Sequence, residues 1–132
     1  MIKYLLDTDM VIDIIRSVES VAAQKVREVT TSACAIADLT LFELYCGAAA
    51  SNNPTVNYNI VNYIKDSFKI LSSNDAYIEA SIQKIRLKQS GKPIDDFDLL
   101  IGCTAKVHNL VAVTGNTKHL SRVEGLEVCC WR

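Results

Sequence analysis

The sequence predicts an α/β fold, a three-layer sandwich in which helices flank a mostly parallel central sheet. Short apolar runs predict strands that are buried on both faces, and helical stretches separate one run from the next. No linker, repeat or low-complexity segment interrupts this alternation, so we assign residues 1–132 to a single domain. Hydrophobic residues make up 49% of the chain, which is enough to form a core without disulfides.

The apolar runs place the strands along the chain. They predict strands over the segments Ile2–Leu6, Thr31–Ile36, Phe68–Leu71, Leu110–Val113 and Leu126–Cys129. Residue patterns of helical spacing predict helices over Met10–Ile15, Ser17–Val29, Leu39–Ala50, Tyr58–Ser67, Asn74–Gln89 and Phe97–His108. Because ligands of such folds bind beyond the carboxyl ends of the strands, functional residues are expected at that edge of the sheet.

Capping residues support several of these boundaries. Asp38 is a suitable N-cap for the predicted helix Leu39–Ala50, and Asn74 is a suitable N-cap for the helix that runs to Gln89. The segment Gly91-Lys92-Pro93 then ends that helix, because glycine favours a helix C-terminus and proline cannot continue a helix.

Charge and cysteine content exclude several classes of protein. Basic residues number 14 and acidic residues 15, a balance unlike that of a polybasic nucleic-acid arm or an acidic tail. No apolar run approaches the roughly 18 residues of a membrane span, and Asp7 follows the start too soon for a signal peptide. The five cysteines form no Cys-x-x-Cys pair and suit neither a zinc site nor a disulfide framework. We therefore expect a cytosolic protein with reduced cysteines and no membrane contact.

Three acidic residues occur where an α/β fold would use them. Asp7 ends the first predicted strand, Glu43 interrupts the least charged helix, and Asp98 leads into the apolar part of a later helix. Glu43 has no basic residue three or four positions away, so no local ion pair accounts for its charge. Each acid also has a structural interpretation, as a helix cap, a complement to the helix dipole or part of an exposed helix edge.

Further short polar or acidic residues flank these three acids. They precede the helix of Asp98 or follow the ends of two strands, and capping or an ordinary turn would explain each of them in isolation. The set is Thr8, Asp9, Asp95, Asp96, Thr114 and Asn116. A glycine also stands four residues after two of the acids, Gly47 after Glu43 and Gly102 after Asp98. We infer that both glycines leave clearance for a ligand that approaches the carboxylates.

Taken together, two strand ends and two helices could bring oxygen ligands to one crevice. Mg²⁺ and Mn²⁺ prefer carboxylate oxygens and water to thiols. Such an ion activates water and neutralises charge on a phosphodiester. Crowded carboxylates also favour a cation, because like charges at short range resist joint ionisation.

Four segments in register resemble the PIN domain, and more narrowly the VapC toxins of bacterial toxin–antitoxin pairs. The resemblance spans nearly the whole chain, and order, spacing and total length all fit. The segments are Leu5-Leu6-Asp7-Thr8-Asp9, Leu41 to Ala48, Gly91 to Ile94 leading to Asp98-Leu99-Leu100-Ile101-Gly102, and Val113-Thr114-Gly115-Asn116-Thr117.

The resemblance implies a Mg²⁺- or Mn²⁺-dependent endoribonuclease toxin that cleaves structured RNA, a tRNA or a ribosomal RNA loop, with metal-activated water. Asp7, Glu43 and Asp98 match the acids that hold the metal, and Asn116 matches a fourth catalytic position. The remaining polar residues of the set above would support these ligands. Asp9 departs from the family, which usually has Asn there, and adds a negative charge beside the metal site or extends the helix cap.

Partners follow from the same resemblance. It implies a cognate VapB-like antitoxin that blocks the groove, an RNA substrate, and a homodimer. Between residues 84 and 122, basic residues outnumber acidic ones by seven to three, which could form a basic rim for RNA or only a solvated helix face. The lysines of this hypothesis are Lys84, Lys88, Lys92 and Lys118. His108 and His119 are interpreted as structural or surface residues.

Two alternative functions remain open from the sequence. A PIN-like domain could act as a non-catalytic binding module, although all the core acids are present. Asp7-Thr8-Asp9-Met10-Val11 also resembles the aspartyl-phosphate loop of phosphatases, with Asp7 as nucleophile and Asp9 as general acid. In that fold Glu43 would have no role, and the chain is short for it.

Overall fold

A computed structural model describes all residues from 1 to 132. Its centre is a five-stranded sheet in which every neighbouring pair is parallel, in the order β3-β2-β1-β4-β5. The strands are β1 (Tyr4–Leu6), β2 (Cys34–Ala37), β3 (Lys69–Leu71), β4 (Val111–Val113) and β5 (Val128–Cys129). The predicted α/β sandwich is thus confirmed, with a wholly parallel sheet.

Seven α-helices flank the sheet. They are α1 (Thr8–Arg16), α2 (Val21–Val29), α3 (Asp38–Ala49), α4 (Pro54–Ser67), α5 (Tyr77–Gln89), α6 (Asp96–Val107) and α7 (Thr117–Leu120). Short 3₁₀ turns cover Thr31–Ala33 and Ser73–Ala76. No helix is both long and apolar enough to cross a membrane.

Side chains that alternate along the strands form the core on both faces of the sheet. Leu6, Ile36 and Val113 lie in register on neighbouring strands and point into a large buried cluster shared with α1 to α4. Leu5 and Ala112 point to the opposite face and pack against α6. Because both faces are covered, the three central strands β1, β2 and β4 contain no charged residue, which is why they could be predicted from the sequence.

Some predicted boundaries were wrong for identifiable reasons. The second strand begins only at Cys34, because the residues before it form a 3₁₀ turn after Thr30, whose φ is +77°. Helix α4 begins at Pro54 and not at Tyr58, since Asn53 caps it through a hydrogen bond from the Val56 amide and proline fits the first turn. Helix α7 was not predicted, because four residues are too few to show a helical period.

The cysteines form no disulfide. Cys34 and Cys103 are buried, and burial raises the pKa of each thiol to about 11, so both remain protonated and unreactive at neutral pH. Cys46 lies in an apolar stretch but is exposed on α3, so it is not a core residue. Cys130 is exposed as well.

Candidate active site

The central strand and its neighbour β4 bring the first side chains together. Leu6 pairs with Val113, so Asp7 and Thr114 emerge side by side at the carboxyl edge of the sheet. Thr114 is fully buried, and its hydroxyl donates to Asp7 Oδ2 at 2.7 Å. The other oxygen of Asp7 accepts the Thr8 amide at 2.8 Å and so caps α1. The structural and functional interpretations of Asp7 are therefore compatible.

Helix α3 presents Glu43 to the same edge. The carboxylate is partly buried and accepts a hydrogen bond of 2.6 Å from the Thr8 hydroxyl, which also lies 3.1 Å from the Thr40 hydroxyl. No basic side chain forms an ion pair with Glu43. Thr8 thus joins the first strand end to α3 and fixes the direction of the carboxylate.

Helix α6 and the turn after β4 contribute the next pair. The Asn116 side-chain amide is 3.4 Å from Asp98 Oδ2 and 2.9 Å from His119 Nδ1. The Asn116 backbone amide donates to the Thr114 hydroxyl at 2.9 Å. Through Thr114, the turn that carries Asn116 is therefore tied to Asp7.

The charge of this crevice is strongly negative. Burial raises the pKa of Asp7 to about 6, with further contributions from the nearby charges of Asp9 and Asp98. Burial together with the charges of Asp95 and Glu43 also raises the pKa of Asp98. These electrostatic couplings show that the predicted acids share one neighbourhood, which a cation would stabilise.

The chemical types of these side chains suit a metal ion. The groups are carboxylates with a neighbouring amide and hydroxyls and no thiol, as Mg²⁺ or Mn²⁺ prefers. The structure nevertheless brings no three acidic, histidine or cysteine side chains close enough together to hold an ion between them. Instead, Asp7, Glu43 and Asp98 are each engaged by threonine or asparagine donors. The like charges of the acids also oppose their closer approach without a cation.

The other acids near this edge differ in what they contact. Asp9 accepts the Gly115 amide at 2.8 Å and lies beside Arg132, so it is not free to act as the general acid of a phosphatase. Asp95 accepts the Phe97 amide at 3.1 Å and caps α6. Asp96 is exposed and pairs with Lys84 at 2.9 Å, so its contacts lie outside the crevice.

The two glycines do not have the same surroundings. A side chain at Gly47 would meet nothing within 4 Å, which agrees with the inferred clearance beside Glu43. A Cβ at Gly102 would instead lie 3.3 Å from Leu126 and 3.5 Å from Val123. Gly102 therefore allows close packing against the end of the chain, and the clearance inferred beside Asp98 was wrong.

Sequence reasoning missed two residues beside the site. His119 contacts Asn116, and its charge when protonated would lower the pKa of Asp98. Arg132 reaches α1 from the far end of the sequence. Only the position of His119 three residues after Asn116 could have signalled a contact. Nothing local marked Arg132.

The sequence profile of the PIN domain family matches residues 4–126. The tRNA(fMet)-specific endonuclease VapC of Shigella flexneri is 29% identical over 132 residues, which cover 99% of both chains. Ribonuclease VapC1 of Methanocaldococcus jannaschii is 31% identical over 130 residues, with 96% of this chain and 86% of the relative covered. The crystal structure of DNA-bound VapBC from Salmonella typhimurium contains a chain that matches with a TM-score of 0.93 and 28% identity, each chain covered in full. The chain therefore belongs to the PIN domain family, and within it to the VapC proteins.

Proposed function

We propose that this protein is a metal-dependent endoribonuclease toxin that cleaves structured RNA, a tRNA or a ribosomal RNA loop. The observation that carries the proposal is the convergence of Asp7, Glu43, Asp98 and Asn116 from two strand ends and two helices on one negatively charged crevice. The names of the full-length relatives, endonuclease and ribonuclease, support the same reaction.

Asp7, Glu43 and Asp98 would hold Mg²⁺ or Mn²⁺ directly or through water. The bound ion supplies a nucleophile at neutral pH and neutralises charge on the phosphodiester. Thr114 and Thr8 orient the carboxylates of Asp7 and Glu43, and Asn116 orients that of Asp98. Hydrogen-bonded supports of this kind set ligand direction, and their loss commonly costs about 10–100-fold in metal affinity or activity.

The test is incubation of the purified, antitoxin-free protein with total tRNA and ribosomal RNA, in Mg²⁺, Mn²⁺ or EDTA. Asp98→Asn is compared with Asp66→Asn, which makes the same change at an exposed aspartate on α4. We expect a discrete cut that needs metal. Asp98→Asn should lower the rate of RNA cleavage by more than about 100-fold, the upper end of the loss expected for a supporting residue. Asp66→Asn should leave the rate of cleavage unchanged.

Circular dichroism and thermal melting verify that Asp98→Asn is folded. Intact RNA with the folded, metal-loaded wild-type protein would contradict the enzymatic proposal and favour the non-catalytic module. Equal cleavage by wild type and Asp98→Asn would remove Asp98 from the site.

We further propose an antitoxin partner, in line with the VapBC complex named above. A groove of about 190 Å³ runs between α1, α3 and α4, and Glu43 stands in its wall beside Gly47. The other lining residues include Ile12, Ile15 and Ile60. An antitoxin segment with apolar side chains would fill this groove and reach the catalytic edge.

Co-expression with the product of an adjacent small gene tests the antitoxin. The wild-type complex should co-purify without ribonuclease activity. Ile60→Asp should weaken the complex and release activity, because Ile60 is partly exposed in the groove and not needed for the core. Stable co-purification of the Ile60→Asp protein would place the antitoxin elsewhere.

We also propose that a second copy of the chain covers helix α5. Tyr77, Ile78, Ile82 and Ile85 form an exposed apolar stripe there, and Ile78 is 78% exposed. Lys84 beside this stripe pairs with Asp96 of its own chain, so its charge stays balanced when a second copy covers the stripe. Light scattering should show a dimer for wild type and a monomer for Ile82→Lys. A monomeric wild-type protein at micromolar concentration would exclude this dimer.

A further inference from the structure

Arg132 joins two carboxylates of α1 that lie four residues apart. Its Nε donates to Asp13 Oδ2 at 2.8 Å, and a second guanidinium nitrogen is 3.3 Å from Asp13 Oδ1. The third nitrogen lies 3.9 Å from Asp9 Oδ2. The same Asp9 oxygen accepts the Gly115 amide at 2.8 Å. One oxygen of Asp9 thus connects Arg132 to the turn after β4.

Gly115 is closely enclosed by this arrangement. A Cβ there would lie 2.6 Å from Asp9 Oδ2 and closer still to the Arg132 guanidinium. Because glycine has no side chain, Asp9 and Arg132 can lie directly against the backbone of the turn. That turn carries Thr114 and Asn116, which hold Asp7 and Asp98.

The second oxygen of Asp9, Oδ1, is buried and makes no hydrogen bond. A carboxylate with one free buried oxygen is poorly held unless its charge is balanced. Arg132 is the only cation that forms an ion pair with Asp9, and its own position is fixed by the two contacts with Asp13. Two groups therefore act on the direction of Asp9, the Gly115 amide at 2.8 Å and the charge of Arg132 at 3.9 Å.

We propose that Arg132 is a positioning residue of the active site. It holds Asp9 against the Gly115 amide, keeps that carboxylate from turning towards the metal-binding acids, and thereby fixes the turn that carries Thr114 and Asn116. The catalytic part of this role depends on the ribonuclease function proposed above. The hydrogen bond between Asp9 and Gly115 does not.

The test compares Arg132→Gln, the double variant Asp9→Asn/Arg132→Gln, and Arg27→Gln as a control on the surface of α2. Three quantities are measured: hydrogen exchange of the Gly115 amide in EDTA, Mn²⁺ affinity by electron paramagnetic resonance, and kcat and KM for RNA cleavage. Arg132→Gln should expose the Gly115 amide to exchange several-fold faster. Because the charge of Asp9 is then unbalanced, Mn²⁺ should bind several-fold more tightly.

Cleavage gives the third comparison. Arg132→Gln should lower kcat about tenfold with KM for RNA nearly unchanged, as expected for loss of a supporting contact. In the double variant, the Gly115 exchange rate, the Mn²⁺ affinity and kcat should all return most of the way to their wild-type values. The Asn that replaces Asp9 still accepts the Gly115 amide but carries no charge. Such rescue would not occur if Arg132 only packed against the fold.

The proposal fails if Arg132→Gln behaves like Arg27→Gln, or if adding Asp9→Asn gives no rescue. Failure of the ribonuclease function has a different signature. The wild-type protein would then neither bind Mn²⁺ nor cleave RNA, and Gly115 exchange in EDTA would still decide whether Arg132 holds Asp9.

Discussion

Asp7 carries a charge where almost no water reaches it, and its hydrogen bonds do not fully offset that burial. Its side chain accepts from Thr8 and Thr114, yet burial raises its pKa from 3.8 to about 6. A raised pKa means that the folded protein binds a proton more tightly than the unfolded chain. The contribution of Asp7 to stability is therefore complete below pH 3.8 and is lost as the pH rises through about 6.

At the level of this residue, Asp7→Asn should stabilise the metal-free protein at pH 8. The gain should be of the order of 2–3 kcal/mol, from about two pKa units, and should shrink towards pH 4. Urea unfolding in EDTA at several pH values measures it. Asp66→Asn, on the exposed face of α4, should show no such difference. If Asp7→Asn were no more stable than wild type at pH 8, burial of the charged Asp7 carboxylate would not carry the free-energy cost assigned to it.

The order of the strands in the sheet determines which turns lie beside the candidate site. Strand β1 lies between β2 and β4, so the turn after β4 is placed beside Asp7 by strand register and not by any local feature of the sequence. Strand β5 extends the sheet beyond β4 and leads to Trp131, which packs on Tyr4 with ring centroids 4.9 Å apart. Trp131 thereby anchors the segment that carries Arg132.

At the level of this element, Trp131→Ala should destabilise the protein by about 3 kcal/mol, the lower end of the cost of truncating a buried aromatic side chain. Trp131 is only 7% exposed and belongs to the main core cluster. Chemical unfolding monitored by circular dichroism measures the loss. Trp131→Phe is the matched variant and should lose less, because it keeps a ring against Tyr4. Equal stability of wild type and Trp131→Ala would show that β5 is not anchored by this contact.

The positions of Asp7 and Glu43 at the carboxyl edge of the sheet could be predicted from the sequence, because each residue follows or interrupts an apolar element. Asp7 follows a buried strand, and Glu43 is the one acid within an otherwise apolar part of its helix. The contacts of Arg132 could not be predicted, since they span 119 residues and depend on β5 pairing with β4. The difference between the surroundings of Gly47 and Gly102 could not be predicted either, because it depends on how the chain end packs against α6.

Across the whole molecule, the proposed ribonuclease function requires a negatively charged crevice to receive a negatively charged RNA. The net charge is only −1, so attraction for RNA depends on where the basic residues lie. Lys84 is partly neutralised by Asp96, whereas Lys88, Lys92 and Lys118 are exposed and form no ion pair. These three lysines are the candidates for contacts with phosphate.

At the level of the whole molecule, RNA affinity should depend on salt through these lysines. The variants are made in an Asp98→Asn background, in which RNA should stay uncut. Lys92→Gln and Lys118→Gln should each reduce the slope of log affinity against log salt by about one. Lys65→Gln, at an exposed lysine on α4, should leave the slope unchanged. Filter binding to tRNA between low and high salt measures it. Equal slopes for all variants would assign the lysines to a solvated face.

The wholly parallel sheet also has a consequence for synthesis of the chain. Parallel neighbours cannot be joined by hairpins, so each strand must wait for a partner made after an intervening helix. A nascent chain on the ribosome holds Asp7 and Glu43 early, but the strand that places Thr114 and Asn116 beside them is made only after α6. If the proposed ribonuclease function holds, a chain still in synthesis stays inactive until β4 and the turn after it have left the ribosome, an interval in which an inhibitor could already be present.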